Sequence, residues 1–238
     1  MQLWNGPLQA LRYRMRVLYS MGGGFERECP LCGYRGRFSA FGIPPRFDAC
    51  CRRCGSMERH RQFALWLRTH EDALRDRRVL HFAPEAILRK LIAPLAAGYI
   101  GADLSPQPPD IALDIQNIAL ADASQDVVVC NHVLEHVDHH RALHEMHRVL
   151  ATDGLALLTF PIIEGWDRTY EDPAIILEPD RLLHFGQEDH IKLFGADVRE
   201  HIAAAGFEIE EFTAVEPFVH RYSLLRGSKL FICRKLPQ

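Results

Sequence analysis

Asp126-Val127-Val128-Val129-Cys130-Asn131-His132-Val133-Leu134-Glu135-His136-Val137 is the stretch on which the fold turns. A strand that faces solvent on one side alternates apolar and polar residues. A run that is apolar at every position, as over 127–130, belongs to a strand covered on both faces, as in a parallel sheet flanked by helices. The run stops at Asn131-His132, and Asp138 then offers an N-cap for a helix reaching Leu150. Strand, polar loop and helix in this order make half of a β-α-β unit.

The same alternation extends outward. Upstream, residues 78–82 read as a short strand, Pro84 opens a helical stretch to Leu91, and 99–102 read as a second strand closing at Asp103. Residues 111–115 are a third candidate strand. Downstream, Asp153-Gly154 is a turn, 155–160 a buried strand, 196–205 a helix ended by Gly206, and 207–215 with 229–233 two closing strands. Residues 161–195 show no clear period and are rich in His, Asp, Glu, Pro and Gly. Alternating strands and helices predict an α/β, doubly wound, mostly parallel sheet with right-handed crossovers over residues 71–238.

Residues 1–70 read differently. They hold 12 Arg, no Lys and 4 acidic residues, a net charge of +8, and leave −11 for the rest of the 238-residue chain. Arginine-only basicity suits bidentate contacts to phosphate or carboxylate, and equally suits docking onto the chain's own acidic part. An amphipathic helix is expected over 7–21, with Leu8, Leu11, Met15 and Leu18 on one face, and a second from Ser56 with Phe63, Trp66, Leu67 and Leu74 as its stripe. Arg12, Arg14 and Arg16 break the N-terminal apolar stretch, so it does not read as a secretory signal, and the longest uncharged run, 91–102, is too short to span a bilayer. A cytoplasmic protein with reduced thiols is expected, without membrane partners.

Cys29-Pro30-Leu31-Cys32-Gly33 and Cys51-Arg52-Arg53-Cys54-Gly55 are two CxxCG knuckles separated by 18 residues. Two residues between thiolates let both sulfurs face one tetrahedral ion, and the following glycine permits the tight turn that aims backbone N–H groups at sulfur. The spacing predicts a structural zinc ion on Cys29, Cys32, Cys51 and Cys54, with no open coordination position. Cys50 is a spare thiol beside the site; Cys130 and Cys233 fall in strands as inert core residues.

In doubly wound folds an acidic residue closing the second strand accepts hydrogen bonds from a ribose, which singles out Asp103. The order of elements, with 99–103, Asp114-Ile115, the DVVVCNHVLEHV stretch, and His147-Arg148-Val149-Leu150 before Gly154, resembles the class I S-adenosylmethionine-dependent methyltransferases of the type 11 kind over residues 78–215. The cysteine module and the Gly55–Arg61 segment are similar to zinc-ribbon extensions on some members. The resemblance implies a Rossmann-like seven-stranded sheet and S-adenosylmethionine as cofactor. By it Asp103 and Leu104 match the ribose edge, Asp114 and Ile115 the adenine contacts, and Asn131 and His132 the floor under the methionine part. The family's glycine-rich loop is replaced by His81-Phe82-Ala83-Pro84-Glu85. There His81, Ala83 and Glu85 are the candidate cofactor contacts: Ala83 is small, Pro84 lacks an N–H, and Glu85 is placed to meet the cofactor's ammonium.

The resemblance implies methyl transfer, with the acceptor unnamed by the sequence. A small-molecule acceptor is favoured, with RNA bound through the Arg-rich module, or a catalytically silent zinc-containing binding protein, as the alternatives. His132, His184 and His190 are the candidate acid–base residues, the last two in a polar segment, 181–195, expected to overhang the sheet's C-terminal edge. His132, His136, His140 and His144 sit four apart with Glu135 and His147 nearby, but a strand-to-helix break near Val137-Asp138 separates them, and His140, His144 and His147 on the helix are read as a solvated stripe rather than a metal site.

Overall fold

The computed structural model describes residues 24–42 and 45–236, with Leu11, Arg12 and Met15. The helix expected over 7–21 falls largely outside this set. The chain forms two compact units, residues 1–66 with 214–228 and residues 67–213 with 229–238. The boundary expected at 70/71 therefore lies at 66/67, and a stretch between the last two strands belongs with the N-terminal residues.

The first unit contains two small antiparallel pairs, β1 (Glu26–Glu28) with β2 (Arg35–Arg37) and β3 (Ser39–Phe41) with β4 (Arg46–Cys50), followed by α1 (Glu58–Leu67). Each cysteine knuckle closes with the same two backbone bonds. Cys29 N donates to Tyr34 O and Gly33 N to Cys29 O; Cys51 N donates to Ser56 O and Gly55 N to Cys51 O. Gly33 (φ 70°) and Gly55 (φ 74°) take the left-handed conformation that these turns demand. Phe38 and the two buried cysteines form a small apolar cluster, against which Leu31 and Tyr34 pack.

The second unit is one seven-stranded sheet. In chain order its elements are β5 (Arg78–Phe82), α2 (Ala86–Ile92), β6 (Gly98–Asp103), β7 (Ile111–Ala112), β8 (Gln125–Asn131), α3 (His139–Val149) and β9 (Leu150–Thr159). A small antiparallel pair follows, β10 (Tyr170–Glu171) with β11 (Lys192–Leu193), enclosing α4 (Glu178–Phe185). Then come α5 (Val198–Ala204), β12 (Phe207–Thr213), α6 (Phe218–Tyr222, in the first unit) and β13 (Lys229–Lys235). The strand order is β12-β13-β9-β8-β5-β6-β7. All neighbours are parallel except β13, which runs antiparallel to both β12 and β9.

The central strands are covered on both faces, as the unbroken apolar runs require; Val127, Val128, Val129 and Cys130 are fully buried. Asp138 caps α3, its side chain accepting from His140 N and Arg141 N at 3.1 and 3.2 Å. The third strand is shorter than expected: Leu113 and Ile115 turn into the core, and an Asp114–Asn117 bridge closes the chain behind β7. Among the described residues no helix is long and apolar enough to cross a membrane.

Candidate functional site

Parallel register lines up the ends of four strands. Phe82 pairs with Ala102 on one side and Cys130 on the other, and Asn131 pairs with Thr159. The next residues along, Asp103, Ala83 and Asn131, with Thr159, therefore form one row across the C-terminal edge of the sheet, the edge where open α/β sheets bind ligands.

Ala83 stands where the family carries glycine, and its backbone takes the glycine-like conformation (φ 44°), with its N–H donating to Ala102 O at 2.8 Å. A left-handed non-glycine residue costs on the order of 1 kcal/mol, so the loop keeps the shape without the residue that adopts it most easily. Glu85 occupies the N-cap position of α2 without capping it through its side chain. Asp103 Oδ1 accepts from Ser105 N at 2.9 Å, and Leu104 beside it is 70% exposed, a large apolar side chain held out at the ligand edge. Asp114 Oδ1 accepts from Gln116 N at 2.8 Å. Ile115, expected as an adenine wall, is instead packed into the main core.

His81 is also displaced from its expected role. It lies within β5, not on the edge, and is fully buried. Its Nδ1 is 2.9 Å from the Tyr99 hydroxyl. Burial first, and the Arg89 charge second, push its pKa down to about 3, so it is a neutral core residue rather than a ligand contact.

At the end of β8, Asn131 Oδ1 accepts from Thr159 Oγ1 at 2.8 Å, while its Nδ2, buried, has no partner. His132 follows with a left-handed backbone (φ 53°), its N–H donating to Thr159 O at 2.7 Å. Its ring Nδ1 meets Glu135 Oε1 at 3.1 Å; a carboxylate accepts, so Nδ1 carries the proton and Nε2 is left as acceptor. His132 is half-exposed, whereas Glu135 is buried.

The 181–195 segment is brought to this edge by its return strand. Ile191 N donates to Glu135 O at 3.0 Å, Phe194 packs at a tilt against Phe160 just past β9, and Ile163 N bonds Phe194 O. His184, on α4, places Nδ1 2.7 Å from the Tyr170 hydroxyl and is exposed. His190 is 3% exposed and packs edge-on against His136, so it does not face solvent as a free acid–base group. Burial, the largest cause, lowers its pKa. Of the expected stripe, His140 and His144 are exposed and His147 packs on Phe207; His136, in the turn before the helix, meets His190. Thr159 and Tyr170 were not singled out by sequence. The helix α4 was missed as well, although Pro179 in its first turn and Gly186 at its end are the signals that mark it.

In the first unit, Cys29, Cys32, Cys51 and Cys54 bring their sulfurs within 4.8 Å of one another. The Cys29–Cys54 and Cys32–Cys51 separations are 3.6 and 3.8 Å. Zinc with Zn–S bonds of ~2.3 Å requires tetrahedral edges of about 3.8 Å, so the four thiols fit that ion. Cys50 stands outside the cluster, and its thiol reaches only the Cys51 carbonyl. Cys130 and Cys233 are fully buried, and burial raises their pKa.

Residues 86–158 match the family described as a methyltransferase domain. No curated protein matches the chain. Among solved structures, an S-adenosylmethionine-dependent methyltransferase from Mesorhizobium loti is 17% identical, with TM-score 0.53, covering 73% of this chain and 98% of that one. The 1,6-didemethyltoxoflavin-N1-methyltransferase of Burkholderia thailandensis, solved with its substrate and S-adenosylhomocysteine, is 16% identical, with TM-score 0.50, covering 73% and 76%. A putative S-adenosylmethionine-dependent methyltransferase from Listeria monocytogenes is 14% identical, with TM-score 0.53, covering 76% and 99%. At these identities the likeness establishes the fold.

Proposed function

From the premise that the α/β unit is a class I S-adenosylmethionine-dependent methyltransferase domain, we propose that the chain transfers a methyl group to a small-molecule acceptor held over the Asn131–His132 strand end. The observation that carries the reading is the row of Asp103, Ala83 and Asn131 along three adjacent strand ends. It combines an acidic side chain, a backbone in the glycine conformation and an unpartnered buried amide donor. This donor set fits the cofactor. Asp103 would accept from ribose hydroxyls, Leu104 and Asp114 would flank the adenine, Glu85 would meet the ammonium, and Asn131 Nδ2 would donate to the methionine part.

The cofactor supplies an electrophilic sulfonium methyl when bound. The chain's own residues align, desolvate and handle the acceptor's proton. His132 Nε2 is the acceptor-side group, because Glu135 fixes the ring through Nδ1. The 181–195 segment covers this edge, and His184 tethers it through Tyr170. The small substrate of the toxoflavin-type relative supports a small-molecule acceptor.

The test supplies methyl-labelled S-adenosylmethionine together with a protein-free and RNA-free small-molecule extract, and in parallel with total RNA. Label should enter low-mass products. His132→Ala should lower that transfer by about 100-fold or more while calorimetric affinity for the cofactor stays within a few-fold of the parent, since a proton-handling group acts on turnover. Label entering RNA alone would contradict the acceptor class, and unchanged transfer in His132→Ala would remove that residue's role.

A further inference from the structure

Beside the row of strand ends lies a cluster of which methyl transfer uses only Glu135 Oε1, the partner of His132. Glu135 and His136 stand in the 3-10 turn Leu134–His136, and His190 precedes β11. One donor atom from each lies within 4.8 Å of the others. The Ile191 N–H bond to Glu135 O ties the two segments together.

Hydrogen-bond partners decide which atoms are free. His136 Nδ1 is 3.0 Å from the Asp189 carbonyl oxygen, which only accepts; Nδ1 therefore carries the proton and Nε2 keeps its lone pair. His190 Nδ1 is buried and unpartnered, so it is free to present a lone pair. Glu135 Oε1 accepts from His132, and Glu135 Oε2 is buried and unpartnered. Each of the three residues thus offers an acceptor atom, and two of these atoms are buried with no donor. Such an arrangement is costly unless a cation lies between them.

We propose that Glu135 Oε2, His136 Nε2 and His190 Nδ1 bind a divalent transition-metal ion, separate from the cysteine site. Two imidazoles and one carboxylate are the donor set of open zinc, iron, manganese and cobalt centres. The Asp189 carbonyl on the remote nitrogen of His136 is the orienting partner that such ligands carry. Three protein ligands leave positions for water or an acceptor oxygen. The carboxylate that would hold the ion also holds His132, so an acceptor hydroxyl on the ion would lie beside the proton-handling ring. That last step rests on the methyl-transfer reading; the ion does not. The other histidine group, His139 with His140 and His201, lacks this property, because His139 spends both nitrogens on Lys192 and His201.

The experiment uses the full chain, zinc-replete, equilibrated with cobalt(II), with total metal counted and the visible spectrum recorded. The parent should hold about two ions per chain, the second giving cobalt d–d bands without thiolate charge transfer. His190→Ala and Glu135→Gln should bind that second ion at least about tenfold more weakly and keep the first. His136→Ala gives the same reading if His190→Ala does not fold, as judged by circular dichroism. A parent with one ion, or folded variants that keep two, would overturn the site. S-adenosylmethionine affinity measured on the same samples separates the two claims: a parent holding two ions yet binding no cofactor keeps the metal site and removes the methyl-transfer reading.

Discussion

His81 shows what a single residue's position in the pattern leaves open. The sequence places it at the end of a strand, where the family resemblance puts an acidic cofactor contact. Because β5 is covered on both faces, alternation does not reveal which way each side chain points. In the fold its ring lies edge-on to Tyr99, near the Arg89–Asp110 ion pair. Its folded pKa of about 3 is depressed below the ordinary value of 6.5. A neutral histidine in the fold and a protonated one in the unfolded chain mean that its stabilisation is complete above about pH 6.5 and is lost as pH falls toward 3. Between pH 7 and 5 the parent's urea midpoint should therefore drop. His81→Asn should be less stable at pH 7 yet show a shallower drop, the difference approaching about 1.4 kcal/mol per pH unit for one proton. Equal drops in the two proteins would contradict a buried neutral ring. The strand-end positions of Asp103 and Asn131, by contrast, were legible because each closes a largely apolar run.

At the scale of elements, the arginine excess is where counting charges was least informative. Three of the four acidic residues in the first 70 are paired with arginine: Arg27 with Asp48, Arg46 with Glu58, and Arg221 with Glu28. Arg61, on α1, is fully buried and donates to the backbone oxygens of Ala49, Ser56, Tyr222 and Ser223, with its guanidinium 4.8 Å from the Phe38 ring centroid. One side chain thus ties β4, the second knuckle, α1 and the α6 region together. No composition argument points to this, because half of its partners come from residues 214–228, far along the chain. Lysine keeps the charge and loses the fork. Arg61→Lys should destabilise this unit by about 3 kcal/mol, by leaving buried carbonyls unpaired. Thermal melting and limited proteolysis of residues 24–66 would register it, and an unchanged melt would contradict the assignment. The segment 161–195 failed differently: α4 is one short helix between irregular stretches, too brief to impose a period.

For the whole molecule, the second unit's architecture was readable because its central strands β8 and β9 carry long apolar runs, Asp138 starts α3 and Gly206 follows α5. The membership of residues 214–228 in the first unit was not, since it depends on long-range packing alone. The replaced glycine loop is the feature on which the central claim stands or falls. Ala83 keeps the left-handed backbone that a glycine adopts most easily. Calorimetry of the zinc-replete full chain with S-adenosylmethionine and S-adenosylhomocysteine tests this most directly. The account predicts saturable binding of one cofactor per chain. It also predicts that Asp103→Ala weakens it by about 10- to 100-fold, the loss of a bond worth about 1.5–3 kcal/mol, with metal content unchanged. A parent that binds neither compound, or an Asp103→Ala protein that binds as tightly as the parent, would contradict it.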